Sequence, residues 1–104
     1  MSYSVSFYPS ADRDMDSIEE YLSRFYSSTV YKFFLKLEEK VSALEDMPYM
    51  YPAYERDPYF RCMPINEYLL FYHVDEGCKQ VKVHRVLHGK TDIAKQIQEY
   101  RKGG

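Results

Sequence analysis

At 104 residues the chain is long enough for one domain and too short for two, since each half would bury too little apolar surface to offset the entropy of ordering its backbone. With 45% apolar and 17% aromatic residues, the composition excludes a disordered segment. A net charge of −2 gives little reason to expect nucleic-acid binding, yet the charge is segregated: residues 1–78 carry seven Lys and Arg against fourteen Asp and Glu, whereas residues 79–104 carry seven against two.

In chain order, Tyr3, Val5 and Phe7 alternate with serines and predict a first strand that ends at Pro9. Ser10 is the expected N-cap of a first helix, with Asp12, Asp14 and Asp16 favourably placed beside the positive end of its dipole. Ala11, Met15, Ile18, Leu22 and Phe25 form one apolar stripe. After a junction at Tyr26-Ser27-Ser28, Val30, Phe34, Leu37, Val41 and Leu44 form a second, so residues 11–46 read as an αα-hairpin. Pro48 and Pro52 stop that helix and open a loop to about Pro58.

Residues 59–63 read as a short strand and residues 68–74 as a central strand, apolar on both faces. Asp75-Glu76-Gly77 supplies a turn, and Val81 and Val83 begin an antiparallel partner that runs through Arg85-Val86-Leu87. Thr91 or Asp92 caps a last helix through Ile93 and Ile97, and the terminal Lys102-Gly103-Gly104 is expected to fray. The order is β-α-α-β-β-β-α, an α+β domain spanning residues 1–104. Its helices lie on one face of a small, predominantly antiparallel four-stranded sheet.

Cys62 and Cys78 lack paired metal or redox spacing and read as reduced thiols. The N-terminus has neither a basic nor a long apolar region, and no apolar run approaches the roughly 18 residues that span a membrane, so a cytoplasmic protein is expected.

Several strings in this order resemble the RelE/ParE superfamily of type II toxin–antitoxin toxins from Tyr3 to about Ile93. They are the Ser10-Ala11 start with Asp14, Ile18 and Tyr21, the Leu44 to Pro48 helix end, Arg61, Tyr68-Leu69-Leu70-Phe71-Tyr72, and Arg85-Val86-Leu87-His88-Gly89-Lys90 with Asp92. The resemblance implies a growth-inhibiting toxin of plasmid-stabilisation type, held by a cognate antitoxin and using no cofactor or metal. Two activities stand open: ParE-like members inhibit DNA gyrase by binding, and RelE-like members cut mRNA in the ribosome without a metal, the ribose 2′-hydroxyl attacking the adjacent phosphate. The acidic balance and the C-terminal string favour the first.

For cleavage, Arg61 and Arg85 are the expected phosphate clamps and His88 the acid or base, with Tyr68 or Tyr72 stacking on a base. For target binding the set is Arg61, Lys82, Arg85, Lys90 and Arg101, expected along one positive edge. Each residue also has a structural reading. The arginines can tie strands to acidic helices, His88 can serve as a turn residue, and His73 as a hydrogen-bonded core histidine. His84 is expected to face solvent or pack on a helix, and Arg85 to share the face of Val81 and Val83 unless the strand twists.

Overall fold

The computed structural model describes residues 2–103. Its elements are β1 (Ser4–Phe7), α1 (Pro9–Leu22), α2 (Ser27–Ala43), β2 (Arg61–Ile65), β3 (Tyr68–Asp75), β4 (Gln80–His88) and α3 (Ile93–Gly103), in the order expected. The sheet runs β1-β4-β3-β2. Both hairpin pairs are antiparallel, while β1 lies parallel to β4, with Val5 opposite Val81 and Phe7 opposite Val83. A parallel pair needs a long crossover, and here everything from α1 to β3 provides it.

Local chemistry shifts several boundaries. Tyr8, extended at φ −71° and ψ 156°, is the N-cap of α1, and Pro9 takes the first helical position, where its missing N–H is no loss. Ser10 therefore sits inside the first turn instead of capping it, and its hydroxyl donates to the His84 carbonyl at 2.7 Å. Ala11 and Ile18 are buried, with Met15 and Leu22 packed beside them. Phe25 lies beyond the helix end and is 58% exposed. Ser27 and Ser28 form the first turn of α2 and are not part of the link, since Tyr26 is its N-cap. The second stripe buries through Phe33, Leu37, Val41 and Leu44. β2 begins at Arg61, two residues later than Tyr59.

The helices do not share one face. Leu70 and Tyr72 of β3 join Val81, Val83, Val86 and the α1–α2 residues in one core, while Phe71 points oppositely, into a second core with Phe60, Leu87 and Ile97 of α3. A strand apolar on both faces requires two covers, and α3 supplies the second. Tyr72 is fully buried in the first core, where its hydroxyl donates to the Pro48 carbonyl at 2.8 Å and ties the post-helical loop to the sheet.

One irregularity governs the geometry that follows. Phe71 pairs with Arg85 but Tyr72 pairs with Val83, so His84 is the extra residue of a bulge. The alternation of β4 is thereby offset. Val81 and Val83 belong to the first core, but so does Val86, while Leu87 joins the second.

The β3–β4 turn falls at Glu76–Lys79, where the sequence places it, but its special backbone does not fall on its glycine. Asn66, at φ 54°, takes the left-handed position of the two-residue β2–β3 turn, and in the β3–β4 turn that conformation falls on Lys79 (φ 53°), not Gly77. Asn66 tolerates such a backbone better than most residues. Cys62 and Cys78 are both free thiols, and no helix among the described residues is long and apolar enough to cross a membrane.

Candidate functional site

The bulge sends Arg85 to the middle of α1. Its Nε donates to Asp14 Oδ2 at 2.7 Å and its Nη2 to Oδ1 at 3.0 Å, while the same carboxylate accepts the Val86 backbone N–H at 2.9 Å. Both side chains are largely buried, at 19% and 15% exposure. Such a two-pronged pair is directional and strong. It closes β4 onto α1 and holds a guanidinium that the sequence offered as a phosphate clamp.

Arg61 is placed elsewhere. It begins β2 on the parity of Met63 and Ile65, both of the first core, and its Nη1 donates to the Tyr51 carbonyl at 2.6 Å under the Tyr49 ring. His88 shares with Arg85 a shallow cavity of about 270 Å³ lined also by Asp14, Tyr21 and Tyr68. Within it, the His88 Nδ1 accepts the Lys90 backbone N–H at 3.1 Å, and Nε2 lies 3.7 Å from a Glu67 carboxylate oxygen. Lys82 pairs with Asp75 at 3.3 Å, and Lys90 and Lys95 are exposed. Asp92, not Thr91, caps α3 by accepting the Lys95 backbone N–H at 3.2 Å. The structure thus brings Arg85 and His88 together and leaves Arg61 on the opposite face of the sheet from Arg101.

Arg101 is on the α3 side. Both Asp57 carboxylate oxygens accept from its Nη1, at 3.2 and 3.1 Å, and its guanidinium lies 4.2 Å above the Tyr59 ring and 5.3 Å from that of Phe60. It borders two depressions. One, of about 490 Å³, is formed by Tyr54, Arg56, Asp57, Ile97 and Lys102, and the other, of about 270 Å³, by Tyr59, His84 and Tyr100.

The second depression exposes one edge of a polar cluster the sequence did not assemble. The His73 Nδ1 lies 2.8 Å from His84 Nε2, His84 Nδ1 2.7 Å from the Tyr100 hydroxyl, and the Tyr59 hydroxyl 3.3 Å from His73 Nε2. Ser10 Oγ is 3.3 Å from the Tyr100 hydroxyl. The Tyr8 ring stacks on His84 at 4.4 Å. Burial holds the His84 imidazole neutral, pushing its pKa down to about 4, with His73, Arg101 and Lys82 adding in the same direction. His73 is lowered too, chiefly by burial and by Lys82, against Asp75. His73 is hydrogen-bonded as expected but only half-buried and outside both cores, and His84, buried, packs on a helix; their union depends on the bulge, which leaves no mark in the sequence.

Comparison with known proteins gives these features a family. A family model described as the ParE toxin of the type II toxin–antitoxin system, parDE, matches residues 5–93. Among solved structures, the toxin fold of the chromosomal ParDE system from P. aeruginosa superposes with a TM-score of 0.70 at 15% identity, over 84% of this chain and 96% of that one. The toxin–antitoxin complex RelBE2 from Mycobacterium tuberculosis matches at 0.61 and 20% identity, over 85% and 99%. A mutant of the E. coli toxin RelE in the free state matches at 0.66 and 16% identity, over 97% and 98%. No curated protein sequence matches. Identities this low speak for a common fold, and the family model speaks for membership: the chain belongs to the ParE toxin family of type II toxin–antitoxin systems.

Proposed function

We propose that the protein is a growth-inhibiting toxin of plasmid-stabilisation type that acts in the cytoplasm by binding DNA gyrase. The observation that carries this reading is the engagement of its guanidinium groups. Arg85 is gripped by Asp14, Arg101 by Asp57, and Arg61 by the Tyr51 carbonyl. Metal-free phosphate cleavage calls for cations converging on one open point to offset charge in the transition state. Here they are dispersed over an acidic chain and serve instead to shape a surface. Lys82 and Arg101, with Arg56 and Lys102 beside them, give the α3 side a cationic face suited to an acidic protein surface, with Arg61, Arg85 and Lys90 at greater remove.

A second reading is favoured by one feature, the His84–Tyr100 pair beside Arg101 in an open depression. In a ribosome-dependent, metal-independent mRNA endonuclease such a pair can move a proton, and His88 or Arg85 would have to act from the neighbouring cavity. Purified protein assayed against gyrase supercoiling and, separately, against mRNA on translating ribosomes decides between them. Loss of supercoiling with intact mRNA is the expected outcome, and codon-dependent cutting with normal supercoiling would overturn it.

A cognate antitoxin completes the proposal. Its segment would occupy the groove of about 560 Å³ between β1 and α2, where Val5, Phe7, Met15 and Phe34 present apolar surface over the buried Leu37 and Val41, beside the outer edge of β1. Rescue of growth on co-expression with a small open reading frame encoded beside it, lost on Phe34→Glu at a half-buried position on the groove wall while the variant alone still inhibits growth, tests it.

A further inference from the structure

Arg101 borders both depressions of the α3 side, the larger with Arg56 and Lys102 and the smaller with Tyr59, His84 and Tyr100. It is held there without being saturated. Its guanidinium lies 4.2 Å above the Tyr59 ring, and both Asp57 oxygens take hydrogens from Nη1 alone, at 3.2 and 3.1 Å. Arg85 shows the stronger form of such a pair, with Nε and Nη2 each donating to a separate oxygen of Asp14. Among the described residues none accepts from Arg101 Nε or Nη2, so the edge that makes this fork is open. The pair is also the more accessible of the two, with Arg101 42% and Asp57 26% exposed.

Asp57 is fixed by its loop. Its backbone N–H donates to the Tyr54 carbonyl at 3.2 Å, its carbonyl accepts the Phe60 N–H at 3.0 Å, and Oδ1 accepts the Tyr59 N–H at 3.4 Å. It is the one carboxylate among the described residues lining either depression. The open edge of Arg101 fits another. The smaller depression adds no second cation, since burial holds His84 neutral and Lys82 is tied to Asp75. A nucleic-acid strand draws on many cations at once, and this chain carries −2. A protein carboxylate needs a single guanidinium as anchor, and Arg56 and Lys102 in the larger depression suit acidic side chains flanking it.

We propose that Arg101 anchors one carboxylate of an acidic protein segment on its open Nε–Nη2 edge, and that Asp57, sharing the same guanidinium, holds the affinity of that docking down. The proposal rests on the reading of the α3 side as the target-binding face, and it names the chemistry of the contact and the residue that tunes it. Asp57→Asn separates the two effects of the pair. Its amide oxygen still accepts from Nη1 and from the Tyr59 N–H, so the guanidinium stays placed, while the charge that repels an incoming carboxylate is gone.

Arginine side-chain NMR on the intact protein reads the contact, and fluorescence anisotropy of a labelled probe gives its affinity. The probe is a short glutamate oligopeptide, with its glutamine counterpart as uncharged control and a thymidine oligonucleotide of equal charge as the competing class. Expected is a saturable shift of the Arg101 Nε–H signal with the glutamate peptide, and none with the glutamine one. Affinity should rise about threefold in Asp57→Asn, the pair being partly exposed, and fall at least about tenfold in Arg101→Lys, which keeps the charge and loses the fork. Equal affinity of the Asp57→Asn and unaltered proteins, undiminished binding by Arg101→Lys, or preference for the oligonucleotide would each overturn the anchor. The same variants in the supercoiling assay keep the two readings apart: peptide binding that follows these expectations while gyrase is untouched supports the anchor and removes gyrase as its target.

Discussion

Arg85 and Asp14 stand 71 residues apart in the chain and meet through two parallel hydrogen bonds that fasten β4 to the middle of α1. Because both are largely buried, deleting one strands the other charge away from water. Arg85→Ala is expected to lower the unfolding free energy by about 3 kcal/mol. Urea denaturation measures it, and a loss under about 1 kcal/mol would mean that water rescues Asp14. Any fall in toxicity of this variant is then to be read against its folded fraction.

The Tyr72 hydroxyl makes a simpler case. Fully buried and donating to the Pro48 carbonyl, it should be worth about 1 kcal/mol, so Tyr72→Phe costs that much while leaving the core packing intact. A neutral result would show that the Pro48 carbonyl finds another donor. The position offered from sequence as a base-stacking surface is thus core.

The order of elements was legible in the sequence because periodicity and punctuation report local structure, and Val81, Val83 and Leu37 landed where alternation and the helical stripe put them. The boundaries that moved were decided by single atoms. Pro9 suits the first helical position better than it suits ending a strand, and Ser10 found a carbonyl on a strand 74 residues away. The bulge at His84 was invisible, since nothing in Val83-His84-Arg85-Val86 departs from a regular strand, yet it offsets Val86 from the parity of Val83 and lets the two histidines meet. The second core hinged on α3, whose stripe was read but not its side of the sheet. The candidate cations were each identifiable by type; their carboxylate and carbonyl partners lie too far along the chain for spacing to suggest them.

Arg101 separates binding from folding. Its pair with Asp57 is half exposed and worth within about 1 kcal/mol, so Arg101→Ala should leave stability nearly unchanged while weakening inhibition of gyrase at least tenfold. Lys36→Ala, on the exposed side of α2, is the control expected to change neither. Full inhibition by the Arg101 variant would remove the α3 side from the proposed target surface. Arg61→Ala is expected to reduce growth inhibition through the loop it anchors at Tyr51, and supercoiling assays with titrated protein distinguish that from lost contact, because a misplaced loop is partly restored by Arg61→Lys.

The histidines also set how stability depends on pH. In the unfolded chain His84 takes up a proton near its usual pKa of 6.5, whereas in the folded protein it does so only at about 4. Between these values the unfolded state holds more protons, so acid pulls the equilibrium towards it. The contribution is fully present above about pH 6.5 and is lost as pH falls to about 4, at roughly 1.4 kcal/mol per pH unit for one such group. His73, also lowered, adds in the same direction. Asp75 and Glu76, held down to about 2 by hydrogen bonds from Cys78 and Lys82 and from Tyr49, Lys79 and Tyr3, lose their contribution only below about pH 4.5, outside the interval from pH 7 to pH 5. Unfolding by urea at pH 7 and at pH 5 should therefore differ by about 2 kcal/mol in the native protein. In His84→Phe, which keeps a ring against Tyr8 and Phe60 but cannot titrate, most of that difference should vanish. An equal slope in both proteins would show that His84 is protonated in the fold as readily as out of it, and that the pH dependence arises elsewhere.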